Sequence, residues 1–240
     1  MQNIAVILAG GIGARVGGNT PKRLLPLQDG KSVLEHAVDA FEQSPHIHEI
    51  CIVMHPDYIA HAEQMLLANA WQKVRHIIPG GKERWESSVN AIRLYMNQQN
   101  SLPFREEAGV GLLLHDAARP FVSQDIIARV CEALEDHEAV TVAIPSTDTV
   151  YEMVDGKVAR IPQRSTIMRA QTPQAFRLNL IAEAYAKALG VNSLSAEACA
   201  TCHLPATDDC GIVHEHMPEI PIHIVLGEEQ NKKITFKEDI

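Results

Sequence analysis

The amino-acid sequence predicts an α/β fold: a Rossmann-like, mostly parallel twisted sheet with helices on both faces and a projecting β-hairpin arm. Three observations predict it. Short apolar runs alternate with amphipathic stretches, a glycine-rich loop follows the first apolar run, and two β-prone runs flank Asp155-Gly156. Such alternation is typical of parallel sheets, because each crossover helix packs on a face of the sheet.

The alternating stretches define the predicted elements in order. The predicted strands are Ile4–Ala9, Ile50–Met54, Val74–Ile78, Val110–Leu114 and Val140–Ile144. The predicted helices are Ser32–Gln43, Asp57–Ala70, Glu83–Gln98 and Gln124–His137. In the first helix the apolar residues recur at helical spacing, and Ser32 is a favourable N-cap.

The alternation breaks after residue 144. The runs Thr149–Val154 and Lys157–Ile161 flank Asp-Gly, which is a strong hairpin signal. We therefore expect residues 1–240 to form one domain with a β-arm inserted at about 146–171. A projecting ribbon serves a dimer, a lid or only the surface, and the residues alone leave these open.

Composition excludes several classes of protein. The 240 residues are 46% hydrophobic, enough for a sizeable core, and the net charge of −9 argues against general nucleic-acid binding. No apolar run approaches the roughly 18 residues of a membrane span, and no basic leader precedes the first strand, so we expect a cytoplasmic protein. Five cysteines indicate reduced thiols, and the Cys199-x-x-Cys202 pair does not match the spacing of closed zinc sites.

The glycine loop, LAGGIGARVGGNTPKR at 8–23, fits neither common phosphate-binding pattern. Val16 stands where a dinucleotide loop has its third glycine, and Asn19 stands where a P-loop requires lysine. What remains is a glycine loop with Arg15 inside it and Lys22 just beyond it. Forked donors from arginine and a point charge from lysine suit phosphate oxygens, so the loop favours a phosphate site at the carboxyl edge of the sheet. The alternative that the loop alone leaves open is a plain glycine turn with solvated cations.

The segment LAGGIGARVGGNTPKRLLPL resembles the opening signature of nucleotidyltransferases that activate sugar or polyol phosphates. It most resembles the CTP-dependent family of 2-C-methyl-D-erythritol 4-phosphate and ribitol-5-phosphate cytidylyltransferases. Further segments resemble that family in order across nearly the whole chain: GGKERWESSVNAI (80–92), LLLHDAARPFVS (112–123), IPSTDTVYE (144–152), IPQRSTIMRAQTPQAF (161–176), TDDCG (207–211) and EEQNKKIT (228–235).

The resemblance implies transfer of CMP from CTP to a polyol phosphate, with release of pyrophosphate and a requirement for Mg²⁺. It implies that Arg15 and Lys22 are catalytic and that Asp116 holds the metal, whereas His115 is expected to be structural. The implied nucleotide-binding residues are Ala9, Gly10, Gly11, Gly13, Gly81, Ser87, Ala117 and Lys233. The implied substrate-binding residues are Arg119, Thr149, Arg164 and Thr172.

The resemblance further implies a homodimer in which the arm carries Thr149 and Arg164 to the substrate of the second subunit. Three departures leave the acceptor open: Arg23 stands where the family usually has glutamine, Lys82 where an acid is common, and Arg169 adds a cation.

Three other functions stay open at this point. One is a sugar-1-phosphate pyrophosphorylase that uses UTP or GTP. The second is a dinucleotide-dependent oxidoreductase, which the missing third glycine disfavours. The third is a catalytically silent binding module, which the presence of Arg15, Lys22 and Asp116 disfavours.

Overall fold

The computed structural model describes residues 1–11, 21–99, 109–194, 204, 207–235 and 239. Its main sheet has seven strands: β1 (Gln2–Ala9), β2 (Glu49–Met54), β3 (Val74–Pro79), β4 (Val110–Asp116), β5 (Ala139–Pro145), β8 (Met168–Arg177) and β9 (Ile222–Leu226). Their spatial order is β3-β2-β1-β4-β8-β5-β9. Strands β1, β2, β3 and β4 pair in parallel, as do β5 and β9.

Helices cover both faces of the sheet: α1 (Val33–Glu42), α2 (Ile59–Asn69), α3 (Arg84–Gln99), α4 (Gln124–Asp136), α5 (Leu178–Leu189) and α6 (Asp209–His216). Alternate residues of β1 enter two separate cores, because successive strand side chains point to opposite faces. Ile4, Val6 and Leu8 pack with α3, α5 and α6, whereas Ala5, Ile7 and Ala9 pack with α1, α2 and α4. The predicted α/β class is confirmed.

The predicted strands and helices are confirmed, with ends shifted by one to a few residues. Ser32 caps α1 in a capping box: its hydroxyl accepts from the Glu35 amide at 3.2 Å, and its own amide donates to the Glu35 carboxylate at 2.7 Å. Helix α2 begins two residues later than predicted, because Pro56–Tyr58 form a separate 3₁₀ turn.

Strand β8 is a feature that the sequence analysis did not predict. It lies antiparallel between β4 and β5 and joins the two parallel parts of the sheet. The polar side chains of Gln171, Thr172 and Gln174 are buried on it. Each makes hydrogen bonds that offset its loss of hydration.

The predicted hairpin is also present. Strands β6 (Glu152–Val154) and β7 (Lys157–Arg160) form a two-stranded sheet of their own. Asp155 and Gly156 have φ of 50° and 74°, as a tight hairpin turn requires. Both strands are exposed along their whole length, so the arm stands away from both cores.

The division of the chain into one domain with an inserted arm stays a prediction. In the described ranges, no helix combines the length and apolarity needed to cross a bilayer.

Candidate active site

The candidate site lies between the carboxyl ends of β1 and β4. The chain runs from β1 outward through β2 and β3 on one side, whereas β4 adds to the other side, so this is the topological switch point of the sheet. Strand β1 leads into Gly10, and β4 ends at Asp116. The Ala117 amide donates to the Leu8 carbonyl at 3.1 Å. The fold thereby brings the predicted residues Ala9, Gly10, Gly11, Asp116 and Ala117 to one edge.

Glycines allow the loop after β1 to touch the loop before α3. A Cβ atom at Gly10 would lie 2.6 Å from the Ser87 hydroxyl oxygen, and one at Gly80 would lie 2.9 Å from the Gly10 Cα. The Gly81 amide donates to the Ser87 hydroxyl at 3.1 Å. The predicted residues Gly10, Gly81 and Ser87 therefore form one contiguous wall of the site.

Asp116 lies at the centre of a charge cluster. Arg84 Nε donates to its Oδ1 at 3.0 Å, and Lys233 Nζ donates to its Oδ2 at 2.6 Å. Burial alone would raise the pKa of Asp116, but the charges of Arg84 and Lys233 outweigh burial and hold the pKa well below its usual range. The carboxylate is therefore ionised at neutral pH.

Arg84 links this carboxylate to a second one. Its Nη1 donates to Asp209 Oδ2 at 2.6 Å, and the Asp209 side chain is fully buried. The Tyr185 hydroxyl donates to Asp209 Oδ1 at 2.7 Å. Burial would lower the pKa of Arg84, but the two carboxylates outweigh it and raise the pKa. The guanidinium therefore stays charged between Asp116 and Asp209.

His115 is structural, as expected. Its Nε2 lies 3.0 Å from the Arg119 carbonyl, which only accepts, so Nε2 carries the proton. Nδ1 then accepts from the Thr172 hydroxyl at 3.1 Å, and that hydroxyl accepts from the Asp116 amide at 3.1 Å. Burial lowers the pKa of His115 to about 4, so the imidazole is neutral at pH 7.

Arg119 holds the segment that carries Lys233. Its two terminal nitrogens donate to the Asn231 carbonyl at 2.7 Å and the Ala170 carbonyl at 3.2 Å. The buried Asn231 side chain donates to the Thr172 carbonyl at 2.9 Å. The Ile234 amide also donates to the backbone carbonyl of the residue that precedes Arg119. The segment is therefore held by hydrogen bonds on both sides of Lys233.

The other predicted site residues are not all brought to this cluster. Gly13 and Arg15 lie outside the described residues, as do Cys199 and Cys202. The backbone of Lys22 starts a 3₁₀ turn, Lys22–Leu24.

Two predicted substrate residues lie on the arm segment. Thr149 and Arg164 are exposed, and within the described part of the chain no hydrogen bond joins either to Asp116. Thr172 is only 5% exposed, and its hydroxyl is engaged with His115 and Asp116. The functional roles of these predicted residues stay predictions.

Sequence reasoning missed Arg84, Asp209 and Asn231. Each lies inside a segment that resembles the family, namely GGKERWESSVNAI, TDDCG and EEQNKKIT. The signal was therefore present, but nothing in the spacing of the segments indicated that Arg84 and Asp209, 125 residues apart, form an ion pair.

Comparison with solved structures gives the class of protein that this fold and site define. The crystal structure of 4-diphosphocytidyl-2C-methyl-D-erythritol synthase from Anaerococcus prevotii matches with a TM-score of 0.75 and 27% identity. The match covers 99% of this chain and 92% of that chain. The chain is a nucleotidyltransferase.

Sequence comparison then gives the family. The model of the 2-C-methyl-D-erythritol 4-phosphate cytidylyltransferase family (IspD) matches residues 3–240, and the chain belongs to that family. The enzyme of that name from Thermobifida fusca is 40% identical over 98% of this chain and 89% of its own length. The bifunctional ribulose 5-phosphate reductase/CDP-ribitol pyrophosphorylase Bcs1 of Haemophilus influenzae is 34% identical over the whole of this chain and 47% of its own length. The predicted cytidylyltransferase resemblance is confirmed.

Proposed function

We propose that this enzyme transfers CMP from CTP to 2-C-methyl-D-erythritol 4-phosphate and releases pyrophosphate. The observation that carries the proposal is the ionised Asp116, held between Arg84 and Lys233 at the switch point and next to the glycine loop. Family membership supports the nucleotide and the acceptor class, since the Thermobifida fusca relative bears the name of that reaction.

The reaction needs positioning and charge more than a base. An oxygen of the acceptor phosphate attacks the α-phosphorus of CTP, a new P–O bond forms, and the bond to the β-phosphate oxygen breaks. Pyrophosphate leaves with that electron pair. A phosphate monoester is largely deprotonated near neutral pH, since its second pKa is about 6. His115, with both ring nitrogens hydrogen-bonded inside the protein, fits a reaction that needs no general base.

The cations of the chain stabilise the charge that develops during transfer. Arg15, Lys22 and Lys233 bind the triphosphate, and removal of one such donor typically costs about 2–4 kcal/mol in the transition state. Arg119 contacts the acceptor phosphate in addition to the two carbonyls that it already binds. Thr172 supports this region indirectly, because its buried hydroxyl donates to His115 Nδ1 and accepts from the Asp116 amide. In this proposal the nucleotide binds to the backbone of residues 9–13 together with Gly81 and Ser87. The close contact of Gly10 with Gly80 and Ser87 supports it, because it places the loop after β1 against the loop before α3.

The donor set of the site fits Mg²⁺ delivered with the nucleotide. The described residues contain no group of three or more His, Cys, Asp or Glu side chains that could hold an ion by themselves. Mg²⁺ is commonly bound through one or two carboxylates plus substrate phosphates, and Asp116 is one ionised carboxylate at the required edge. The bound ion would neutralise charge on the triphosphate oxygens.

The acceptor is tested by kinetics on the purified protein with CTP, Mg²⁺ and either polyol phosphate, with products read by mass. We expect CDP-2-C-methyl-D-erythritol, with kcat/KM at least about tenfold above that for ribitol 5-phosphate. Lys22→Ala should lower kcat about 100-fold or more, whereas Lys187→Ala, which removes an exposed i,i+4 pair with Glu183, should not. Lack of any CDP-product, or a preference for UTP or GTP, would refute the proposal.

Ribitol 5-phosphate is the second candidate acceptor. The similarity to the Bcs1 protein across the whole chain favours it. A reversed preference in the same kinetic experiment would establish it.

We also propose that the arm forms a homodimer in which Thr149 and Arg164 reach the acceptor of the partner. The arm and its flanks expose large apolar side chains: Val150, Tyr151, Met153, Val154, Val158 and Ile161. An isolated two-stranded ribbon is marginal in water, so burial against a second copy would stabilise it.

Subunit mixing tests the shared site. Lys22→Ala and Arg164→Ala variants, each inactive alone, should regain about a quarter of wild-type activity after random mixing, since half the dimers are mixed and each has one intact site. Val154→Asp with Val158→Asp should give monomers in sedimentation, whereas Leu67→Asp, at a residue 82% exposed on α2, should not. No recovery on mixing would refute the shared site.

We place the enzyme in the cytoplasm, because Cys51, Cys131 and Cys210 are free thiols. Cell fractionation with an activity assay tests this, and activity confined to a secreted fraction would refute it.

A further inference from the structure

The proposed reaction assigns no role of its own to Arg84. It is the first residue of α3, and its side chain crosses from that helix to the end of β4 and to the start of α6. Two of its three guanidinium nitrogens each bind a different carboxylate. The third, Nη2, is buried and has no hydrogen-bond partner within the described part of the chain. The guanidinium is therefore committed to Asp116 and Asp209.

Asp209 makes the far end of this bridge rigid. Its side chain has no exposed area, and Arg84 is its one cationic partner among the described residues. The Tyr185 hydroxyl binds its other oxygen, and its backbone amide donates to the Gln174 side chain at 3.1 Å. A buried carboxylate held at both oxygens has little freedom, so it fixes the guanidinium that it binds.

The two oxygens of Asp116 are held differently. Oδ1 receives Arg84, whose side chain is 25% exposed and anchored by Asp209. Oδ2 receives Lys233, whose side chain is 44% exposed and makes no second ion pair among the described residues. Lys233 is therefore the partner that is free to exchange, whereas Arg84 is not.

We propose that Arg84 is a positioning residue: it fixes the Asp116 carboxylate through Oδ1, so that Oδ2 is the oxygen that exchanges Lys233 for the metal–nucleotide complex. This inference rests on the proposed function of the same site. The guanidinium does not need to contact either substrate, because its effect passes through Asp116. Residues that orient a metal-binding carboxylate typically contribute 10–100-fold in metal affinity or activity.

A purely structural role makes a different prediction. In that case Arg84 would only neutralise buried Asp209, and the double variant Arg84→Met/Asp209→Asn would recover both stability and activity. Replacement of both partners of a buried ion pair by neutral groups is often tolerated, whereas loss of one partner is not.

The test compares wild type with Arg84→Met/Asp209→Asn, Arg84→Lys and the control Arg129→Met. Arg129 also pairs with an aspartate and donates to a backbone carbonyl, but it lies on α4. Thermal unfolding reports stability, calorimetry reports CTP binding with Mg²⁺ and in EDTA, and turnover gives kcat and KM.

We expect the double variant to unfold near the wild-type temperature. It should nevertheless bind CTP in the presence of Mg²⁺ about 10–100-fold more weakly, with binding in EDTA changed by no more than about threefold. Arg84→Lys should show the same loss, since one ammonium cannot span two carboxylates as a forked guanidinium does. The control should match wild type.

Recovery of Mg²⁺-dependent CTP binding in the double variant, or full activity in Arg84→Lys, would overturn the proposal. If the double variant does not fold, Arg84→Lys decides the question by the same two measurements. Failure of the proposed function has a different signature: wild type itself would give no CDP-product and no Mg²⁺-dependent CTP binding.

Discussion

Gly10, in the loop after β1, lies against Ser87 of α3, and this contact predicts an effect on stability. The size of the effect follows from the distances. In Gly10→Ala the new Cβ would lie 2.6 Å from the Ser87 hydroxyl oxygen and 3.4 Å from the Gly80 Cα. The first distance requires a shift, because Ser87 is buried and its hydroxyl holds the Gly81 amide. We expect a loss of about 1–3 kcal/mol in the free energy of unfolding, as for other overpacked sites.

The clash is with a single oxygen, so a double-mutant cycle isolates it. Ser87→Ala alone should cost about 1 kcal/mol through the lost hydrogen bond. In the Ser87→Ala background, Gly10→Ala meets only ordinary contacts, the nearest being 3.4 Å to the Gly80 Cα and 3.7 Å to the Cβ of residue 87. The two changes should therefore couple by about 1–2 kcal/mol.

Urea unfolding of the four proteins measures the coupling, and KM for CTP reports the displaced loop. Gly11→Ala is the matched control for stability, because a Cβ there meets no atom of the described residues within 4 Å and neither glycine has a positive φ. Its stability should change by less than about 0.5 kcal/mol. Equal effects of Gly10→Ala in the wild-type and Ser87→Ala backgrounds would show that the hydroxyl is not the obstacle.

Two further predictions concern the buried hydrogen bonds that join His115, Thr172 and the Asp116 amide. The pKa of His115 is about 4 when folded and about 6.5 when unfolded, so its neutral form stabilises the fold above pH 6.5. That contribution is lost as pH falls toward 4, by on the order of 3 kcal/mol. Urea unfolding from pH 7 to pH 4 should show this loss in wild type and less of it in His115→Gln, and identical pH profiles would contradict the assignment. Thr172→Val removes the hydroxyl between His115 and Asp116. It should lower stability by about 1–3 kcal/mol, and Thr172→Ser should not; equal thermal midpoints for both would argue against these hydrogen bonds.

The elements that the sequence predicted are those in which apolar residues recur at a regular spacing. Strand β1 and helix α1 have regular patterns and clear ends, and both lie within two residues of their predicted bounds. Strand β8 has Gln171, Thr172, Pro173 and Gln174 in its buried half, so its polar composition concealed it. The buried glutamines are satisfied by hydrogen bonds to other segments, which no local pattern records.

The same division holds for the candidate site: residues in recognisable segments were predicted, and contacts between distant segments were not. Gly10 and Asp116 were predicted from segments that resemble the family, and the structure places them directly after β1 and at the end of β4. Arg84 was not assigned a role, because its importance comes from two partners that are distant in sequence. Contacts of that kind are set by the order of strands in the sheet, and that order was not deducible from element positions alone.

The ion pair between Asp116 and Lys233 spans 117 positions of the chain. During synthesis, β1 through β4 emerge long before Lys233 and Asp209, so a nascent chain can build half of the sheet with Asp116 lacking its lysine. Contacts of such long sequence separation also slow folding, because a large loop must close before they form. The ability to act on a nucleotide is therefore acquired late: a chain interrupted before residue 209 would contain Arg15, Lys22 and Asp116 but would lack Asp209 and Lys233.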